Sequence, residues 1–165
     1  MDGTIKRTFE PPADGRYFED YHVGSVYEFG PIPVEEEEMV EFARKYDPQY
    51  YHVDREAAQK SAFGGLIASG WFTAALAMRL VVDHFLSRVA AMGSPGAGEV
   101  RFLKPVRPGD ELSVRITILE ARRSKSKPDR GVVRSSVDVL NQRGEKVMTR
   151  EAVGFVRRRS VVEGR

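Results

Sequence analysis

The sequence predicts a single α+β domain in which an antiparallel β-sheet curls around one long central α-helix. Three observations support this prediction. The chain has 165 residues, a length that suits one domain with a full hydrophobic core. One helical segment is apolar on most of its faces, as is typical of a helix enclosed by other structure. Four segments with alternating apolar residues follow it, and neither half of the chain has a complete core alone.

Composition excludes several kinds of chemistry and partner. The absence of cysteine excludes disulfides, thiolate metal ligands and a thiol nucleophile. The net charge of +2 is small and both signs are interspersed, which weighs against a nucleic-acid partner. There is no run of about 18 apolar residues and no signal-peptide pattern. We therefore expect a cytoplasmic protein without a membrane partner.

The first third of the chain predicts a loose segment, a strand and two helices. Residues 1–16 are polar and rich in proline, and we expect a flexible arm ahead of a domain at residues 17–157. Residues 24–34 predict a strand. Residues 35–46 predict a helix whose first turn is acidic and which Pro48 ends. A short helix follows Asp54, which suits an N-cap.

The remainder predicts the central helix and the sheet. Apolar residues at three- and four-residue spacing predict a helix from about residue 65 to residue 91. Alternating segments then predict four antiparallel strands, the last beginning at residue 146. In that strand Val147, Val153 and Phe155 fit one buried face. Residues 158–165 predict a basic C-terminal tail.

The stretch KYDPQYYHVD (residues 45–54) contains a candidate catalytic pair, Asp47 and His52. In a regular helix or strand this spacing would separate the two side chains, so they can converge only across a bend, for which Pro48 gives a reason. A convergent carboxylate and imidazole can hold a water and move a proton. The alternative is a turn residue and a structural histidine, which the spacing alone favours.

The stretch SAFGGLIASG (residues 61–70) precedes the central helix and also has two interpretations. Backbone N–H groups at a positive helix end suit an oxyanion or a phosphate. Close packing of the helix start against the sheet would require the same small residues, and on its own we favour packing. Ser69 is expected to cap the helix rather than act as a nucleophile, because no G-x-S-x-G elbow surrounds it.

Together, FARKYDPQYYHVDREAA and FGGLIASGW resemble the signature of the MaoC-like dehydratases, a hotdog-fold family that includes (R)-specific enoyl-CoA hydratases. The resemblance extends over roughly residues 17–157. It implies that Asp47 and His52 are the catalytic pair and that the Gly70 N–H holds the thioester oxygen. Gln49 and Tyr50 stand where the family has Asn and Pro.

This resemblance implies a hydro-lyase that adds water to a trans-2-enoyl-CoA and gives an (R)-3-hydroxyacyl-CoA. No cofactor is expected because CoA is part of the substrate, and the family implies homodimers or dimers of dimers. Two alternatives stay open: an acyl-CoA thioesterase on the same fold, and a non-catalytic acyl-CoA-binding protein. We expect no metal site, and we expect substrate contacts from four residues: Gln49, Tyr51, Ser69 and Trp71.

A basic segment, residues 121–131, lies between two predicted strands. It is either a clamp for the phosphates of CoA or a solvated hairpin that protects a sheet edge. For the individual residues we favour the solvated hairpin. Its basic residues are Arg122, Arg123, Lys125, Lys127 and Arg130.

Overall fold

The computed structural model describes residues 3–159, which form one six-stranded sheet packed around a central helix. The sheet order is β1-β2-β4-β5-β6-β3. Neighbouring strands are antiparallel except β1 and β2, which are parallel. This arrangement confirms the predicted α+β class. The strands are β1 (Ile5–Lys6), β2 (Val26–Pro33), β3 (Gly96–Phe102), β4 (Glu111–Arg123), β5 (Arg130–Leu140) and β6 (Lys146–Arg157).

The central helix is shorter than predicted. It begins at Gly70, where Ser69 caps it, and its regular part ends at Leu80 before a wider π-helical turn over Val81–Phe85. Residues 61–69 are loop, because Gly64 and Gly65 adopt positive φ angles. Within residues 3–159 no helix is long and apolar enough to cross a membrane. The helices are α1 (Glu36–Tyr46), α2 (Tyr50–Val53), α3 (Arg55–Gln59) and α4 (Gly70–Leu80).

The core lies between α4 and the two long central strands. The alternation predicted for β4 and β5 is confirmed, because every second side chain is buried and faces the helix. Phe72, Ala77 and Leu80 of α4 pack into the same cluster. Burying such a continuous apolar set is the main source of stability. The buried strand residues are Leu112, Val114, Ile116 and Ile118 of β4 and Val133, Val137 and Val139 of β5.

The prediction that Val147, Val153 and Phe155 share one buried face of β6 is wrong, because the alternation shifts by one residue after Val147. The pairing of β5 with β6 shifts between Val139 and Leu140, so that Val147 and Met148 are both buried. Such a bulge moves every later side chain to the other face. Arg150, which pairs with the buried Val137, therefore shares the helix-facing side of the sheet.

We predicted a flexible arm at residues 1–16, but residues 5–16 pack onto the domain. β1 extends the sheet beside β2, and the Phe9 ring stacks on Tyr27 with 4.4 Å between ring centroids. Arg16 is only 1% exposed and donates hydrogen bonds to the carbonyl groups of Phe9 and Phe85. One aromatic residue and one arginine tether a segment whose composition alone indicates disorder.

The predicted basic tail is only partly within the described residues. Arg158 and Arg159 form ion pairs with Glu19 and Asp20, respectively, on the 3₁₀ turn over Phe18–Asp20. Residues 160–165 lie outside the part of the chain that the structure describes. The start of the tail is therefore held by charge pairs.

Candidate active site

Asp47 and His52 converge across a bend, as predicted. Asp47 is the first residue after α1 and leaves helical geometry at φ −152° and ψ 64°. Pro48 follows it, and His52 lies in the short helix α2, which the sequence did not predict. The two side chains meet with 3.3 Å between His52 Nε2 and Asp47 Oδ2.

The imidazole of His52 is buried and held in one orientation. Only 5% of the residue is exposed, and its Nδ1 lies 2.8 Å from the carbonyl oxygen of Ile67. Since a carbonyl can only accept, Nδ1 must carry a hydrogen. The other ring nitrogen, Nε2, is the one that faces Asp47.

The carboxylate of Asp47 is held ionised by two donors. The Ser69 hydroxyl donates to Oδ2 over 2.7 Å, and the Gln49 amide donates to Oδ1 over 2.7 Å. The Ser69 hydrogen bond is the main reason that the pKa of Asp47 lies below its usual value; Gln49 and the nearby His52 lower it further. Hydrogen bonds to a charged form stabilise that form, so Asp47 is an anion at neutral pH.

Gln49 and Tyr51 hold the carboxylate of Asp47 in position. The Tyr51 hydroxyl donates to the Gln49 amide oxygen, which directs the amide nitrogen towards Asp47. The Tyr51 ring packs against Phe63, with 5.1 Å between ring centroids. These contacts orient the carboxylate, whereas the substrate contacts predicted for both residues stay a prediction.

Both interpretations of the glycine-rich stretch, close packing and a free backbone donor, apply to Gly70. It is the first residue of α4, where N–H groups have no partner within the helix. Among residues 3–159 no hydrogen-bond acceptor contacts its N–H. A Cβ at this position would lie 2.6 Å from the ring of Phe102. The glycine therefore permits close packing and also leaves a donor free at a positive helix end.

His52 and Gly70 line one cleft of about 340 Å³ between the loop before α4 and the segment that follows β3. Of the seven predicted site residues, only these two line it. Trp71 instead lies outside, 61% exposed, with its ring edge-on to Phe102. Sequence reasoning missed most of the cleft wall, which has no motif of its own. The other lining residues are Phe63, Ile67, Ala68, Thr73, Phe102, Leu103, Lys104, Pro105, Val106 and Val147.

The basic segment at residues 121–131 lies far from this cleft within the chain. It joins β4 to β5 at the end where Arg130 pairs with Arg157, whereas the cleft adjoins the opposite end of β6, at Val147. An eleven-residue strand separates the two ends by about 33 Å. Arg122 and Arg130 are already paired with carboxylates. These contacts support the solvated-hairpin interpretation.

The remaining histidines lie apart from the pair. His84 stacks on Phe29 with 5.1 Å between ring centroids, and His22 is exposed in a loop. Within residues 3–159 no group of three or more His, Cys, Asp or Glu side chains is placed to hold a metal ion.

Comparisons with known proteins agree with this geometry. The family model of the MaoC like domain matches residues 20–141. A MaoC-like dehydratase from Rhodospirillum rubrum superimposes with a TM-score of 0.78 at 46% identity, covering 88% of this chain and 99% of that one. The R-hydratase PhaJ1 from Pseudomonas aeruginosa gives 0.70 at 26%, covering 86% and 85%. The uncharacterised protein YdeM of Bacillus subtilis is 29% identical over 85% of this chain and 98% of its own length.

Proposed function

Since this chain belongs to the MaoC-like domain family, we propose that it is a hydro-lyase that adds water reversibly across the double bond of a trans-2-enoyl-CoA. The product is an (R)-3-hydroxyacyl-CoA, and the reaction needs no cofactor beyond the substrate's own CoA. One observation carries the proposal: the 3.3 Å contact between His52 and Asp47 adjoins a cleft that the Gly70 N–H also lines.

The Asp47–His52 pair holds the attacking water. The water donates to the carboxylate or to the imidazole, and its oxygen attacks C3 of the enoyl group. One member of the pair takes a proton from the water as its oxygen attacks C3, and the pair then gives one proton to C2. The contact between Nε2 and Oδ2 then returns the pair to its starting protonation.

The Gly70 N–H stabilises the charge that develops on the thioester oxygen. Attack at C3 turns the thioester into an enolate before C2 is protonated, and the negative charge falls on that oxygen. A backbone donor placed for such an oxygen contributes about 2.7–4 kcal/mol to the transition state. The position of Gly70 at the start of α4 adds the positive end of the helix dipole.

Basic groups at the cleft, rather than those of the hairpin, suit the phosphates of CoA. Lys104 lines the cleft, and half of its side chain is exposed although it pairs with Glu145. Arg107 lies beside the same loop, donating to the Phe63 carbonyl. An ammonium group with exposed donors binds phosphate as a point charge.

A second copy of the chain is proposed to pair along β3. This strand ends the sheet, and its outer edge has no strand beside it within residues 3–159. Exposed apolar side chains adjoin this edge: Trp71 and Met78 on α4, Phe102 at the end of β3 and Leu103 just after it. Exposed edges and apolar patches of this kind are covered in stable proteins. Sheet pairing of two copies would cover both features together.

The test is hydration of crotonyl-CoA and a longer enoyl-CoA, followed as loss of the enoyl-thioester absorbance. Free thiol is measured in the same samples, and the product is resolved by chiral chromatography. Asp47→Asn and His52→Gln should each lower kcat at least a hundredfold. Asp54→Asn is the matched control, because Asp54 caps α3 and lies outside the pair.

The outcomes separate the proposed function from its two alternatives. Loss of absorbance without thiol release, abolished by the two pair variants and retained by the control, supports the hydro-lyase. Thiol release in place of hydration would identify a thioesterase. Tight binding of acyl-CoA with no turnover of any chain length would identify a binding protein.

A further inference from the structure

A second cavity of about 250 Å³ lies deeper between the central helix and the sheet. Its walls are almost wholly apolar. They come from the second half of α4, the π-helical turn and strands β3, β5 and β6. The lining includes Met78, Val81, Phe85, Ala97, Val133, Val137, Ala152 and Val156. Among the described lining residues Tyr21, Ser94 and Ser135 carry hydroxyl groups, and Arg150 is the one charged side chain.

Within the part of the chain that the structure describes, Arg150 has no counter-ion. Its guanidinium contacts the sulfur of Met78, with 3.6 Å from Nη2 to Sδ. Among residues 3–159 no carboxylate lies within ion-pair distance of it, whereas most arginines on the outer face of the sheet are paired. Burial lowers the pKa of Arg150, although a guanidinium stays charged in proteins. Arg150 is half-buried, and a partly desolvated charge without an anion is costly.

This cavity and the catalytic cleft follow one another along the same three elements, although they have no lining residue in common. Both are lined by residues of α4, β3 and β6. The cavity residues come later in α4 and β6 than the cleft residues do. Gly70 and Val147 line the cleft, whereas Met78 and Arg150 line the cavity. Eight helical residues from Gly70 to Met78 correspond to about 12 Å. An extended hydrocarbon chain advances about 1.3 Å per bond, so about nine bonds cover the distance.

We propose that the cavity receives the far end of the acyl chain and that Arg150 binds a carboxylate there. The preferred substrate would then be the enoyl thioester of a dicarboxylic acid. Its chain would have about ten carbons, counted from the thioester carbon to the free carboxyl carbon. This inference rests on the proposed function, because it places the thioester at Gly70. A planar guanidinium with exposed donors is complementary to a carboxylate, which it binds through two parallel hydrogen bonds. The bound carboxylate supplies the counter-ion that residues 3–159 do not.

A purely structural role for Arg150 makes the opposite prediction about stability. If its charge held the fold together, Arg150→Met would lower the thermal midpoint of unfolding. If the charge is kept for a ligand, replacement by an apolar side chain of similar length removes a desolvation cost, and the midpoint should stay equal or rise. Arg134→Met is the matched control, because Arg134 lies on the outer face of β5 and is 43% exposed at its side chain.

The experiment compares trans-2-decenedioyl-CoA with trans-2-decenoyl-CoA, which differ in the group at the far end. The unaltered protein should hydrate the dicarboxylic thioester with at least a tenfold higher kcat/KM. Arg150→Met should remove or reverse this preference, Arg150→Lys should retain part of it, and Arg134→Met should leave it unchanged. Calorimetry with saturated decanedioyl-CoA and decanoyl-CoA measures the same preference without any turnover.

The two assays distinguish failure of this inference from failure of the proposed function. Hydration of both thioesters at equal efficiency, unaffected by Arg150→Met, would overturn the inference and leave the hydro-lyase standing. Absence of hydration with an Arg150-dependent preference in calorimetry would support the carboxylate site and overturn the hydro-lyase. Equal binding of the two saturated thioesters would overturn the carboxylate site whatever the turnover.

Discussion

Ser69 and Asp47, 22 residues apart, are joined by a 2.7 Å hydrogen bond from the serine hydroxyl to Oδ2 of the aspartate. The same hydroxyl accepts from the Trp71 N–H and caps α4. One side chain thus fixes the start of α4, where Gly70 presents its N–H, against the end of α1, where Asp47 lies. The relative position of the Gly70 N–H and the Asp47–His52 pair, the proposed oxyanion donor and acid–base pair, depends on this bond.

Ser69→Ala should remove both contributions at once. Loss of the cap should lower the free energy of unfolding by about 1 kcal/mol, measured by chemical denaturation. Loss of the donated hydrogen bond should raise the pKa of Asp47 towards its ordinary value, measured by NMR titration of a ¹³C-labelled carboxyl group. Asp54→Ala removes the N-cap of α3 instead, and it should cost similar stability without moving the pKa of Asp47. An unchanged Asp47 pKa in Ser69→Ala would contradict this assignment of the cause.

The lowered pKa of Asp47 also predicts how stability depends on pH. A carboxylate whose pKa is lower in the folded protein contributes stability that is fully present above its unfolded pKa of about 3.9. That contribution is lost as the pH falls through the folded pKa. The difference in unfolding free energy between the unaltered protein and Asp47→Asn should therefore be constant above about pH 5 and shift against the unaltered protein below about pH 4. A difference that does not vary with pH would contradict a lowered pKa.

The sequence predicts the sheet well and the walls of the site poorly, for a physical reason. Alternation in β4 and β5 reports burial directly, so both strands were recognisable. The bulge at Val147 leaves no local signal, and it is the bulge that turns Arg150 inward. Phe102 lines the cleft only because the sheet brings it over Gly70. Such contacts depend on long-range register, which periodicity along the chain does not encode.

Gly70→Ala should lower the rate of hydration more than it lowers the stability of the fold. The added methyl group would meet the Phe102 ring at 2.6 Å, so the ring or the start of α4 must move. Because the proposed oxyanion donor lies on the displaced residue, kcat for hydration should fall at least tenfold. Gly15→Ala is the control, since the nearest atom to its Cβ would lie at 3.9 Å. Adding Phe102→Leu should restore part of the lost rate; failure to restore any would contradict the steric cause.

Arg16→Met should destabilise the whole domain. The buried guanidinium donates to the carbonyl groups of Phe9, Pro11, His84 and Phe85 and so joins the N-terminal segment to the end of the π-helical turn. Methionine would leave these acceptors unsatisfied, at a total cost of at least about 2 kcal/mol in unfolding free energy. Arg55→Met, at an exposed ion pair, should change it by less than about 1 kcal/mol. Equal denaturation midpoints for the two variants would mean that residues 5–16 do not stabilise the domain.

Trp71→Glu tests whether a second copy covers the apolar face beside β3. The indole is 61% exposed although it packs edge-on against Phe102, so a charge there should cost little in an isolated chain. At an interface between two copies the carboxylate would be desolvated without a partner, and the dimer should dissociate. Light scattering after size-exclusion chromatography should therefore give the mass of one chain for Trp71→Glu and twice that mass for the unaltered protein. Tyr46→Glu, at a residue 64% exposed on α1, should leave the mass unchanged. If the variant and the unaltered protein have the same mass, this face does not join two copies, and the exposed tryptophan needs another explanation.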